Sequence, residues 1–210
     1  MKTKDKIIQV SLRLFNEKGE RSITTNHIAD EMGISPGLLY YHFTNKEAII
    51  RAIFEQYTDY ITQSIVPPDE HSDAEEFLRQ YCEQIFDSIW RFRFLHANMP
   101  ILLEKDNELI CQYLQTHKYL EERASEALHW LIEHDLIQID EAQIAILVDL
   151  MRLVTGFWVG FSMINQKRQR LTRKQVSQGI IHLIALLEPY GTAQGERLFA
   201  SLKEPYLKRA

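Results

Sequence analysis

Between Thr25 and Lys46 the chain gathers hydroxyls at Thr25 and Ser35, phenols at Tyr40 and Tyr41, an imidazole at His42 and an ammonium at Lys46. No nucleophile–base pair or metal-ligand spacing accompanies them. They are groups that donate to phosphate oxygens and read base edges. Ser35, Pro36, Gly37 and Leu38 form the leading edge of the same segment. Gly37 permits close backbone approach, and Leu38 suits a thymine methyl. Asn26 and His27 lie on the same rim.

Two short helices must position these groups. Ala29 stands where helices approach closely, and Gly33 follows where a turn needs a positive φ. Ile28, Met32, Ile34 and Leu39 are spaced to close a miniature core. Ser35 is placed to cap the second helix, with Pro36 in its first turn. The arrangement is a helix-turn-helix, whose second helix enters a DNA groove. A helix from about Lys4 to Lys18 precedes it, with Ile7, Val10, Leu14 and Phe15 on one face and Gly19 at its end. Thr25 reads as the N-cap of the next helix. Thr44 and Glu47 read as a capping box opening a connector helix to about Ile65. Pro67-Pro68 breaks the chain there. The division is a head over 1–48, a connector over 49–66 and a body over 67–210.

The body reads as helical throughout. Ser72 and Glu75 suggest a capping box for a helix to about Arg93, and Pro100 reads as an interruption before a further short helix. Long helices follow over about Leu109–His134 and from Asp140 to about Lys167, the second ending in a basic run, Lys167 to Arg170. Thr172 caps a helix to about Leu187, and a polar tail with one short helix closes the chain. No stretch has strand periodicity, so the fold class is all-α.

Charge is divided unevenly. Residues 1–50 hold seven Lys/Arg and six Asp/Glu, net +1, while the remainder holds 17 and 23, net −6. DNA binding would rest on a few placed groups, with the acidic body held away from phosphate. Cys82 and Cys111 sit in apolar helical patterns and read as buried, reduced thiols. The polar N-terminus lacks a signal-peptide core, and Arg152, Thr155 and Ser162 interrupt the most apolar stretch. These features point to a cytoplasmic protein without a membrane span. Neither a cofactor nor a metal is expected, and no catalytic motif argues for an enzyme. The pairs His27/Glu31 and His117/Glu121 read as solvated helix surface.

Ile28-Ala29, Gly33-Ile34-Ser35 and Leu39-Tyr40-Tyr41-His42-Phe43 with Asn45-Lys46-Glu47 resemble the N-terminal domain of TetR-type (tetracycline-repressor-like) transcriptional regulators. The close likeness covers about Ile7 to Phe54; beyond that, only length and helical pattern correspond. The resemblance implies phosphate contacts by Thr25, Tyr41 and Lys46, a palindromic double-stranded operator, a homodimer, and a small-molecule effector in the body that relieves repression. The effector would shift a population in which the connector tilts and the heads separate.

The resemblance also assigns the last two long helices to a four-helix dimer bundle, carrying Gly156, Gly160, Val176, Ile180, Leu183, Ile184 and Leu187. Trp90, Phe94, Tyr113, Trp130, Phe157 and Phe161, with His96, His117 and Arg152, are the large and polar side chains available to an effector site. Aromatics at helical spacing are more often plain core than ligand contacts. Arg152, in an apolar helix, needs a partner: Asp149, another acidic side chain or a carboxylate ligand. The body departs from tetracycline-binding members, and Arg91 to Asp106 resembles a subgroup whose inducers stay open. The alternative is a DNA-binding regulator whose body binds a protein or no ligand.

Overall fold

The computed structural model describes residues 2–69, 71–164 and 171–209. Among these the chain forms ten α-helices and two short 3-10 turns. The one extended pairing among the described residues is an isolated antiparallel bridge between Ile137 and Gly191. The basic run Lys167–Arg170 falls outside the described residues.

The head is built from α1 (Thr3–Lys18), α2 (Thr25–Met32) and α3 (Pro36–His42). Gly19 ends α1 at φ 82°, and Gly33 makes the α2–α3 turn at φ 64°, both costly for a side chain with a Cβ. Thr24, rather than Thr25, caps α2. Its hydroxyl accepts from the His27 N–H at 3.3 Å, and its own N–H donates to His27 Nδ1 at 3.2 Å. This reciprocal pairing displaces the cap by one residue and leaves Thr25 inside the first turn. Ser35 caps α3 by accepting from the Leu38 N–H at 3.2 Å. Ile7, Leu14, Phe15, Ile28, Ala29 and Leu39 are buried beneath the three helices, while Met32 and Ile34 are half-buried at the edge.

The connector α4 (Lys46–Ser64) starts at Asn45, whose side chain accepts from the Ala48 N–H at 2.8 Å; no Thr44–Glu47 box forms. Asp73, not Ser72, caps α5 (Ala74–Arg91), and the Ser72 hydroxyl instead donates to Asp69 at 2.9 Å. A break at Phe92 separates α5 from α6 (Arg93–Glu104). Pro100 lies inside α6 and does not interrupt it. Its ring forfeits one backbone bond, to the carbonyl four residues back, and the remaining turns continue.

Three long elements complete the body: α7 (Asn107–Glu133), α8 (Glu141–Ile164) and α9 (Arg173–Ala185). The expected polar tail is α10 (Ala193–Arg209), packed on α9 and α5. Leu198, Phe199, Leu202 and Tyr206 give it a buried stripe, hidden in the sequence among lysines and glutamates. A Cβ on Gly195 would lie 1.9 Å from the Leu136 carbonyl oxygen, so α10 docks there only with glycine. Cys82 is buried, as expected, whereas Cys111 is exposed on α7.

α8 has a mean hydropathy of 1.8 over an eighteen-residue window, long and apolar enough by composition to cross a bilayer. Much of that apolarity lies outside the chain's own core. Ile146, Leu150, Leu153, Phe157, Phe161 and Ile164 form one exposed stripe along the helix.

Candidate nucleic-acid interface and ligand cavity

The exposed edge of α3 carries the groups that the sequence picked out. Leu38, Tyr40 and Tyr41 are 41%, 48% and 82% exposed, large values for apolar or aromatic side chains in a packed head. The Tyr41 ring stands edge-on to His42, with centroids 5.2 Å apart. Ser35, Pro36 and Gly37 are also exposed at the leading end. A Cβ on Gly37 would meet only the Ser35 hydroxyl, at 3.9 Å, so packing within the chain does not require glycine there. Thr25 Oγ1 and the Tyr40 hydroxyl lie 2.9 Å apart. This bond bridges the two helices of the motif and engages both groups expected to face DNA.

Lys46 differs from expectation. Its ammonium donates to the carbonyls of Glu20 and Ile23 at 3.0 and 3.1 Å, and pairs with the Glu20 carboxylate at 2.5 Å. An ammonium has three donors, and all three are engaged within the chain. Lys46 therefore pins the α1–α2 turn to the start of α4. Buried Glu20 was missed because a glutamate in a polar turn gives no sequence sign of burial.

The head is fastened to the body at both ends of α6. The Asn16 amide donates to the Arg91 carbonyl at 2.8 Å, and its oxygen accepts from the Phe94 N–H at 3.1 Å. Phe94 packs on Phe15, with ring centroids 5.1 Å apart. Beyond the other end of α6, Arg51 of α4 pairs with Asp106 at 2.6 Å and Glu108 at 3.2 Å. Thr58 and Thr116 link α4 to α7 at 2.8 Å.

Helices α4 to α9 enclose a cavity of about 280 Å³, just below the usual range for small-molecule sites. Its wall is mostly apolar. Of the side chains named for an effector site, His96, Tyr113, His117, Arg152 and Phe157 are on this wall. Tyr57, Ser88, Met99 and Thr155 also line it; these were missed because they sit in ordinary helical core or polar positions. Burial holds the His96 imidazole down at about 4, helped by His117, and holds His117 at about 4, helped by Arg152. Both rings are neutral at pH 7. Burial likewise raises the Tyr57 phenol. His96 Nε2 and Arg152 Nε are buried without hydrogen-bond partners. Arg152 Nη1 is shared by Glu121 at 3.2 Å and Asp149 at 3.3 Å.

Four expected lining residues belong elsewhere. Phe94 is spent on Phe15. Trp130 donates from Nε1 to the Asp69 carbonyl at 3.2 Å and stacks on His134. The guanidinium groups of Arg93 and Arg173 lie over the Trp90 ring, 4.6 and 5.1 Å from its centroid. Phe161 is 58% exposed beside Trp158. Phe94 and Trp130 are buried in the core away from the cavity, while Trp90 and Phe161 sit nearer the surface.

The expected dimer residues also divide. Val176, Ile180, Leu183, Ile184 and Leu187 are buried inside the chain, and Leu183 lines the cavity. Their stripe holds α9 to its own subunit because α10 covers α9. Gly179 belongs to the same packing, since a Cβ there would lie 2.6 Å from the Trp158 ring. Gly156 and Gly160 have nothing within 4 Å of an added Cβ; Gly156 lines the cavity, and Gly160 does not.

Comparison with known proteins decides the family. A family described as bacterial regulatory proteins, tetR family, matches residues 7–53, and one described as bacterial transcriptional repressor matches 56–199. The chain belongs to the TetR family of bacterial transcriptional regulators. A TetR-family regulator from Marinobacter aquaeolei VT8 is 35% identical, superposes with a TM-score of 0.88, and is covered over 98% of this chain and 99% of that one. The negative regulator of the biofilm operon icaADBC, IcaR of Staphylococcus epidermidis, is 32% identical over 113 residues, 53% of this chain. That match spans 61% of the staphylococcal protein, under two thirds of its length. A transcriptional regulator from Rhodococcus sp. Rha1 shares the fold alone, at 13% identity and a TM-score of 0.67, over 90% of this chain and 97% of that one. TetR-family membership accounts for the N-terminal helix-turn-helix and the helical body behind it.

Proposed function

We propose that this chain is a homodimeric repressor, released from a palindromic operator by a small molecule held in the body. The division into head (1–48), connector (49–66) and body (67–210) carries this role. The observation that supports it most is the cavity. Its wall includes Tyr57 and Ile61 of α4, the helix that begins at the head through Lys46. An occupant displacing α6 would pull the head at Asn16 and α4 at Arg51. A ligand works this way only if it binds the released conformation more tightly.

Ser35, Pro36, Gly37, Leu38, Tyr41 and His42 form the reading surface. Thr25 and Tyr40 brace it, and Lys46 braces the turn before α2. The apolar stripe of α8, with Gly160 open beside it, favours α8 as the main dimer surface, and Gly156 is carried as a further interface residue. Two such heads would present recognition helices one DNA turn apart, roughly 34–36 Å. A cytoplasmic location follows from the DNA-binding role.

The test is thermodynamic linkage. A genomic fragment captured by the purified protein serves as the DNA. A compound that raises the melting temperature of the wild type, but not of a cavity-filled Met99→Trp variant, occupies the cavity. It must weaken fragment binding by the same factor by which the fragment weakens compound binding. A cavity-bound compound that leaves DNA affinity unchanged refutes the reading.

A further inference from the structure

Among the described residues the cavity wall carries one guanidinium, two imidazoles, three phenols and no carboxylate. That asymmetry argues against a cationic occupant, which would find no counter-charge in a low-dielectric site. The buried Arg152 Nε–H lacks an acceptor, and His96 Nε2 lacks any partner. Groups of this kind are costly unless something meets them. Arg152 lies close enough to His117 and Tyr113 to influence both, and His117 in turn influences His96, so His117 connects the two unmet polar groups along the wall. Most of the remaining lining, including Ile61, Ile85, Leu95 and Leu120, is aliphatic, with Ser88, Thr155 and Phe157 among it.

We infer that the effector is a small organic monocarboxylate with an apolar body, its carboxylate met by Arg152 and its body laid along the aliphatic wall. The inference rests on the cavity being the effector site. Within the free protein Glu121 and Asp149 hold Arg152 through Nη1, leaving the rest of the guanidinium fork for the ligand. These two carboxylates compete with the ligand for the same charge. Removing either strengthens ligand binding, an effect opposite in sign to loss of Arg152.

The test uses matched probes: 4-phenylbutanoate, its amide and 4-phenylbutylamine, and the same triplet built on decanoate. Calorimetric titration is run on the wild type, Met99→Trp, Arg152→Gln and Glu121→Gln. Glu121 is half-exposed, so its substitution does not threaten the fold. The acids are expected to bind at least tenfold more tightly than the amides and amines. Arg152→Gln is expected to abolish that preference, and Glu121→Gln to tighten acid binding severalfold. Amide or amine binding as tight as acid, still blocked by Met99→Trp, overturns the carboxylate assignment while leaving the cavity as the site. Acid binding unchanged in Arg152→Gln, or weakened in Glu121→Gln, overturns it too. Binding of none of the six probes, or binding indifferent to Met99→Trp, overturns the effector-site reading together with the assignment.

Discussion

Lys46→Met separates an internal clamp from a DNA contact. The substitution keeps much of the side chain's length and removes the ammonium. It leaves the Glu20 carboxylate, 10% exposed, without a cation, and frees the carbonyls of Glu20 and Ile23. Stranding one partner of a fully buried ion pair costs about 3–5 kcal/mol. The Lys46 side chain is 22% exposed, so water recovers part of this, and a loss of about 2–3 kcal/mol is expected. Urea unfolding at fixed protein concentration measures it. Glu20→Gln in the Lys46→Met background should recover more than about 1 kcal/mol, since the stranded charge is then gone. Fragment binding is measured against salt on the same variants. Because Glu20 already neutralises Lys46, the salt slope should stay unchanged. A phosphate contact would flatten it by about one. Stability within about 0.5 kcal/mol of wild type, with a slope lowered by one, would refute the clamp and restore Lys46 to the DNA surface.

Leu153→Glu places a charge in the middle of the exposed α8 stripe; sedimentation is expected to show a dimer for the wild type and a monomer for the variant, with helical content unchanged. Asn16→Ala removes two bonds between head and body; about 1–3 kcal/mol of stability should be lost by urea unfolding. Acid should destabilise the protein through His96 and His117. Their folded values of about 4 lie below the ordinary 6.5, so the unfolded chain binds more protons between those limits. The contribution is complete above pH 6.5 and falls away as pH drops toward 4, by as much as about 3 kcal/mol per histidine. Urea midpoints from pH 7.5 to 4.5 check this, and His96→Phe should shrink the dependence.

The head was legible because its constraints are local. A positive φ at Gly33, a cap at Ser35 and a proline beside it depend on neighbours in sequence, and they specify the motif without tertiary help. Thr24 took the cap from Thr25 because His27 three residues on could answer its N–H, a detail decided by a histidine tautomer. The body was legible as helices, but the destinations of its aromatics were not. Trp130 went to Asp69, 61 residues away, and Phe94 went to Phe15 across the head–body junction; nothing near either ring encodes that partner. The polar residues fared better. His96, His117 and Arg152 face the cavity because unsatisfied polar groups tolerate few other places in an apolar bundle. The α9 stripe misled for a related reason. Apolar periodicity shows that a face is covered, but not whether α10 or a second subunit covers it.

In the proposed function this TetR-family chain reads DNA as a symmetric dimer through α3. Protection of captured genomic fragments from nuclease tests it most directly, with wild type and Tyr41→Phe compared at equal salt. The expected result is a short palindrome with half-sites about one helical turn apart. Tyr41→Phe should bind it with the same footprint and about 1 kcal/mol more weakly. A single asymmetric site, or affinity indifferent to Tyr41 and to fragment sequence, would contradict the account.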